Sequence, residues 1–227
     1  MSVLRAAWLI ARKDLQVEVR SRELIYTTLF FALACVLVFS FAFIKEGKQP
    51  VDNAAAGIFW VAIAFSGTLA LGRTFERERQ SETLRALLLA PIERSAVYLG
   101  KLIGLLLLMA LIELLLVPLI ALLFRAPVAR APWLLAGLMA AGTVGFAAIG
   151  TLFAAMLVRA QSRDVLLPVL LYPLTMPLII GGVQGTAAIF AVEPDWGTAE
   201  LCLTMLVSFD AVFVTLALWT FAPVMRD

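Results

Sequence analysis

Two carboxylic acids lie inside long apolar runs of the sequence and are the first candidates for chemistry. Glu113 stands in the run LLMALIELLLVPL, and Asp210 stands in the run MLVSFDAVFV. An ionised acid at the centre of a lipid bilayer costs roughly 2.5–3.5 kcal/mol on insertion scales. Each acid therefore marks either a proton or substrate path, or a protonated carboxyl that bonds a neighbouring helix or a second copy of the chain.

The sequence offers few other groups for catalysis or ligation. It has no histidine, and its two cysteines, Cys35 and Cys202, lie far apart in apolar runs. The commonest metal ligand, general base and haem axial ligand is therefore missing. No GxxxxGK[ST] pattern occurs either, so the chain lacks the loop that cradles nucleotide phosphates. A membrane-embedded enzyme is the least supported class for these reasons.

A charged segment between two apolar runs indicates a different task. Residues 72–91 read GRTFERERQSETLRALLLAP, and seven of the 34 charged residues of the chain lie between Arg73 and Arg85. Ser81 can cap a short helix, because its hydroxyl accepts a hydrogen bond from a free backbone N–H. Pro91 ends that helix, because the residue before a proline avoids helical angles. The segment is predicted to contain one short amphipathic helix.

This short helix has an apolar face at spacing i, i+3, i+4 beside a rim of both charge signs. Such a face can bury itself in the groove of a soluble partner, while the charges fix its orientation. The alternative is a solvated loop whose leucines rest on lipid. The predicted docking residues are the apolar Leu84, Leu87 and Leu88, the charged Glu76, Arg77, Glu78, Arg79, Glu82 and Arg85, and the terminal Pro91.

Composition places these residues in a membrane protein. Hydrophobic residues make up 63% and charged residues 15% of the 227 residues, whereas soluble domains are nearer half and a quarter. About 20 apolar residues in a helix cross the hydrocarbon core. We therefore predict an all-α, polytopic fold with a single transmembrane domain over residues 1–227. The predicted spans are 24–44, 54–72, 99–124, 132–158, 166–190 and 199–223.

The distribution of Lys and Arg predicts the orientation of these spans. Fourteen of the 18 positive residues fall on the side of the N-terminus, and four fall on the other side. Cytoplasmic loops carry the excess of positive charge. Both termini and the coupling segment 73–94 are therefore predicted to face the cytoplasm.

Residues 1–23 are predicted to form an interfacial helix before the first span. A basic, amphipathic helix of this kind lies in the plane of the bilayer surface and attracts anionic lipid. It is either a plain membrane anchor or an elbow that also contacts a partner subunit. Its apolar face holds Leu4, Trp8, Ala11, Leu15 and Val19, and its polar face holds Arg5, Arg12, Lys13, Gln16 and Arg20.

The fifth span, with its outer loop at 166–198, is predicted to be broken. An internal proline removes a backbone hydrogen bond and bends a helix, and irregular backbone at membrane depth is tolerated only against protein or water. We expect 167–185 to face a dimer or partner surface and 184–192 to form a short re-entrant or surface element before a turn at 193–196. The predicted helix-breaking residues are Pro168, Pro173, Pro177, Gly181 and Gly182.

The layout resembles that of exporter-type ABC permeases: an elbow helix, six spans with both ends inside, an amphipathic segment between the second and third spans, and a broken fifth span. More narrowly, GIFWVAIAFSGTLALGRTFERE (57–78), SETLRALLLAP (81–91), LGKL (99–102) and LPVLLYPLTMPLIIGG (167–182) resemble the CcmB family. The resemblance covers essentially the whole chain. The ERERQSET stretch departs from it, since the family pattern there is more acidic.

The resemblance implies a permease subunit, not an enzyme, in the bacterial inner membrane. Such permeases pair as homodimers with two copies of a cytoplasmic ABC ATPase, which binds ATP and Mg. They act with a haem-handling membrane protein and a periplasmic haem chaperone in c-type cytochrome biogenesis. Coupled ATP hydrolysis drives haem export or release of the haem-loaded chaperone. The complex handles haem, and this chain is expected to bind no cofactor and no nucleic acid.

Two rival functions remain open at the level of sequence. A generic ABC exporter of drug, lipid or glycan shares the fold and the coupling segment, and differs in its partners. A proton-coupled carrier or channel using Glu113 and Asp210 belongs to another class. It would be active without an ATPase and would lose activity when either acid is neutralised.

Overall fold

A computed structural model of the chain describes residues 2–43, 54–74, 93–158 and 160–224. Over these ranges the backbone forms seven α-helices and no strand, which confirms the all-α prediction. Six of the helices are long and apolar enough to cross a membrane. The helices are α1 (Val3–Ser21), α2 (Glu23–Phe43), α3 (Ala54–Arg73), α4 (Arg94–Phe124), α5 (Pro132–Met156), α6 (Arg163–Phe190) and α7 (Trp196–Val224).

The six predicted spans coincide with α2 to α7, and they differ mainly at three helix starts. Helix α4 begins at Arg94, α6 at Arg163 and α7 at Trp196, whereas the predicted spans began at 99, 166 and 199. A span predicted from hydropathy leaves out a first turn that carries polar residues, although the backbone of that turn is already helical. The extra turn of α6 matters below, because it carries Arg163, which contacts α3.

Helices α3 and α5 form the centre of the bundle. Helix α3 contacts α2, α4, α5 and α6, and α5 contacts α3, α4, α6 and α7. Helices α2 and α7 lie at the periphery and bury only a small share of their residues. Without water to drive burial in lipid, helices associate mainly through close packing, which small residues permit. Helix α5 follows this rule, with buried glycines at Gly142, Gly145 and Gly150.

The N-terminal helix α1 is a separate helix, as predicted, and one of its faces packs against α4. Gly100 of α4 lies so close to Ile10 and to the carbonyl of Ala7 that a Cβ there would clash with both. Ala11 is fully buried against protein, although the helical wheel assigned it to the lipid face. Leu4, Trp8 and Val19 remain exposed on the other side. Contact with lipid therefore stays a prediction for that outer face alone.

Helix α6 is not broken, contrary to the prediction. It runs without interruption from Arg163 to Phe190 and includes Pro168, Pro173 and Pro177. Each proline leaves one carbonyl without its helical N–H, but the neighbouring hydrogen bonds keep the helix intact. The chain at 184–190 continues this helix, so the expected re-entrant element is also wrong. The turn predicted at 193–196 lies just before α7 begins at Trp196.

Gly181 and Gly182 serve close packing in α6 and do not interrupt it. A Cβ on Gly181 would meet Met205 Cε, and a Cβ on Gly182 would meet the indole ring of Trp60. A glycine in a helix interior lowers stability by roughly 0.5–1 kcal/mol relative to alanine. Here that cost is offset by contacts that a larger residue would prevent.

The turn between α6 and α7 is closed by two side chains. Arg130 donates from Nη1 to the carbonyl of Ala191, which joins the α4–α5 loop to the end of α6. Asp195 accepts hydrogen bonds from the backbone N–H of Thr198 at 3.0 Å and from its hydroxyl at 2.6 Å. These bonds, above all the one from the hydroxyl, lower the pKa of Asp195. Asp195 thereby caps α7 in its charged form.

Candidate functional site

The predicted ATPase-docking residues cannot be located in the structure. Glu76, Arg77, Glu78, Arg79, Glu82, Leu84, Arg85, Leu87, Leu88 and Pro91 all lie in 75–92, outside the described residues. Their docking role therefore stays a prediction. The described residues on either side of this segment are Thr74 after α3 and Glu93 before α4.

Two buried cations contact the end of α3, at the start of the 75–92 segment. The ammonium of Lys101 in α4 donates to the carbonyl of Thr74 at 3.1 Å. The guanidinium of Arg163 in α6 donates from Nη2 to the carbonyl of Leu71 at 3.1 Å. Lys101 is 3% exposed and Arg163 is 2% exposed. Neither residue was predicted as a site residue, although Lys101 belongs to the LGKL stretch.

At the same end of the bundle, two acidic side chains of the elbow helix α1 bind it to neighbouring helices. Asp14 of α1 forms an ion pair with Lys101 at 2.8 Å. Glu18 accepts hydrogen bonds through Oε1 from the backbone N–H groups of Leu24 at 2.9 Å and Ile25 at 3.1 Å. Glu18 therefore caps the first turn of α2, where the helix has free N–H groups. Helix α1 is thus tied to both α4 and α2.

The first predicted intramembrane acid, Glu113, is a buried interhelical contact. It lies in α4 with 6% of its surface exposed, and the hydroxyl of Thr143 in α5 donates to its Oε1. This pair favours the second interpretation given in the sequence analysis, in which the carboxyl bonds a neighbouring helix. The partner was not predicted, because nothing in the sequence indicates that positions 113 and 143 are level with each other.

The second acid, Asp210, reaches α5 from a different side. Its Oδ1 lies against Gly145, where a Cβ would clash with it and also with Leu178 of α6. No hydrogen-bond partner for this atom lies in the described part of the chain. Thr143 and Gly145 are two positions apart, which turns them about 200° from each other around a helix with 3.6 residues per turn. The two acids therefore contact different faces of α5 and do not form one site.

Trp60 is a closely packed side chain at the centre of the bundle and was not among the predicted site residues. Its indole ring fills a slot where a Cβ on either Gly142 or Gly182 would clash with it. Its Nε1 donates to Thr186 Oγ1 at 2.9 Å, and the residue is 3% exposed. Trp60 belongs to the GIFW stretch and Gly182 to the LIIGG stretch, so two of the stretches that carry the family resemblance meet at one contact.

These features define the class of the protein. Six helices of membrane-spanning length, a helix that precedes them and packs on α4, and buried acids between the spans make it a multi-pass membrane protein. Among the described residues, no cluster of His, Cys, Asp or Glu has the arrangement of a metal site.

The chain belongs to the CcmB protein family, whose family model matches residues 5–226. Three of its relatives carry the name heme exporter protein B. The one from Rhodobacter capsulatus is 28% identical over 214 residues, which cover 94% of this chain and 95% of the relative. The one from Paracoccus denitrificans is 32% identical over 194 residues, 85% of this chain and 84% of the relative. The one from Escherichia coli K12 is 36% identical over 94 residues, 41% of this chain and 42% of the relative.

Proposed function

We propose that this chain is the transmembrane permease subunit of an ATP-driven ABC complex in c-type cytochrome biogenesis. In this complex it couples ATP hydrolysis on a cytoplasmic partner to haem export or to release of a haem-loaded periplasmic chaperone. The observation that carries the proposal is the family match over residues 5–226 together with relatives named heme exporter protein B. The six spans and the packed elbow helix agree with a permease subunit.

We further propose that the segment 75–92 docks the ATPase subunit. It connects α3 to α4 at the end of the bundle where the positive-inside rule places the cytoplasm. Its amphipathic sequence can supply an apolar knob and a charged rim to a groove on a soluble protein. ATP and Mg are bound by that partner, because this chain has no phosphate-binding loop.

Haem is proposed to be ligated by another subunit of the complex. The chain has no histidine, which is the usual proximal ligand of haem iron. The proposed partners are a haem-handling membrane protein, a periplasmic haem chaperone and a second copy of this chain. A test is the absorption spectrum of the purified chain in detergent with added haem, in which a defined Soret maximum of a ligated haem would contradict this assignment.

Copurification tests the proposed complex. The tagged chain is solubilised from its own cells in mild detergent, and the recovered proteins are identified by mass spectrometry. Recovery of an ABC ATPase together with haem-handling maturation proteins is expected. An ATPase without haem-handling proteins would favour a generic exporter. Recovery of no ATPase would contradict the proposal and leave the carrier or channel as the better reading.

A point variant tests the docking segment. Leu84→Asp places a charge on the predicted apolar knob, so ATPase recovery is expected to fall at least tenfold while the chain remains in the membrane fraction. Gln80→Asp adds the same charge in the same segment outside the knob and is the matched control. Normal ATPase recovery with Leu84→Asp would overturn the docking assignment.

A further inference from the structure

Two cations supplied by neighbouring helices hold the end of α3. The last carbonyls of an α-helix have no partner inside the helix and carry the negative end of its dipole. Lys101 of α4 donates to Thr74 and Arg163 of α6 donates to Leu71, each at 3.1 Å. Thus two side chains that are themselves almost fully buried cap carbonyls at the end of α3.

Burial makes a charge at either of these two positions costly in free energy. A cation removed from water carries a desolvation penalty that only good geometry and several hydrogen-bond partners can offset. Lys101 meets this condition through Thr74 and through Asp14 of α1 at 2.8 Å. As a result, charged contacts join α1, α3, α4 and α6 at one level of the bundle. Helices in lipid rarely need charged side chains to pack. The presence of these charges therefore indicates that Lys101 and Arg163 have a functional role in addition to a structural one.

The location of these contacts indicates the task. Thr74 is the last described residue before the 75–92 segment, and Lys101 lies in the second turn of α4, just after it. The two cations therefore hold the turn of α3 that directly precedes this segment in the chain. We propose that Lys101 and Arg163 are positioning residues, which fix the end of α3 next to the docking segment and couple that end to α1, α4 and α6. This inference rests on the proposed function.

The test compares removal of each cation with its conservative replacement. Lys101→Met and Arg163→Met keep apolar length and remove the charge, whereas Lys101→Arg and Arg163→Lys keep it. Arg125→Met, which removes an exposed cation at the opposite end of α4, is the matched control. Three quantities are measured: membrane abundance, ATPase recovery with the tagged chain, and haem-stained c-type cytochrome in the cells.

We expect both Met variants to keep membrane abundance within about twofold of wild type, because an apolar side chain can replace a buried charge without loss of stability and Asp14 still pairs with Lys13. ATPase recovery or cytochrome yield should fall at least fivefold in both, and the conservative variants should restore most of it. A fourth quantity is the rate of hydrogen exchange in the purified chain. Amides in the last turn of α3 should exchange at least fivefold faster in the Met variants, with no change in α5.

Asp14→Asn provides a graded variant in case a Met variant fails to accumulate. It leaves Lys101 on Thr74 but removes the anionic partner, and an intermediate loss of cytochrome yield with normal abundance is expected. The inference would be overturned if the Met variants matched wild type in ATPase recovery, in amide exchange and in cytochrome yield. It would also be overturned if Lys101→Arg and Arg163→Lys failed to restore function. If instead the proposed function were wrong, the unmodified chain would recover no ATPase. That result distinguishes failure of the proposed function from failure of this inference.

Discussion

At the scale of single residues, the contact between Trp60 and Gly182 shows why a glycine can be indispensable in a membrane helix. We predict that Gly182→Ala destabilises the fold by about 1–3 kcal/mol, because the added methyl group overpacks the indole slot. Gly57→Ala is the control, since nothing lies within 4 Å of a Cβ at that position. Thermal unfolding in detergent measures both. Equal melting temperatures for the two variants would show that the slot is not tightly packed.

The pair of Glu113 and Thr143 gives a second prediction at this scale. Glu113→Gln keeps an oxygen that accepts from Thr143, so we expect normal stability and normal cytochrome yield. Thr143→Val leaves the buried carboxyl without this donor and should cost about 1–3 kcal/mol. Loss of activity in Glu113→Gln, with stability unchanged, would instead favour the proton-coupled carrier. Asp210→Asn is tested in the same assay, because that rival requires both acids.

At the scale of elements, α6 shows that prolines need not break a transmembrane helix. Pro173 is exposed, and the helix continues through it. We therefore predict that Pro173→Ala does not lower the melting temperature, since it adds a backbone N–H where the helix lacks one. Leu178→Ala, which truncates a side chain that is 1% exposed in the same helix, should cost about 2–5 kcal/mol. A lower melting temperature for Pro173→Ala would mean that the bend itself is needed for packing.

At the scale of the whole molecule, the orientation of the bundle is the prediction with the widest consequence, because it decides which end meets the ATPase. In a background with Cys35→Ser and Cys202→Ser, we place single cysteines at two loop positions, Ala129→Cys and Ser162→Cys. A membrane-impermeant maleimide added to the periplasmic side should label position 129. Position 162 should react only after lysis. The reverse pattern would place the 75–92 segment outside and exclude cytoplasmic docking.

The amino-acid sequence by itself determined the class, the six spans and the separate N-terminal helix. Long apolar runs can satisfy their backbone groups in lipid only as helices, so composition and length were sufficient. The family resemblance also followed from local patterns such as GIFW and LGKL. Helix starts were less certain, because the first turns of α4, α6 and α7 carry polar residues.

Only the tertiary structure decided which residues from different helices meet. It paired Glu113 with Thr143, set Trp60 between Gly142 and Gly182, and brought Lys101 and Arg163 to the end of α3. It also showed that α6 is continuous despite three prolines. The physical reason is common to all of these. Hydropathy sets the depth of a helix in the bilayer, but its rotation and neighbours depend on packing between helices far apart in the sequence.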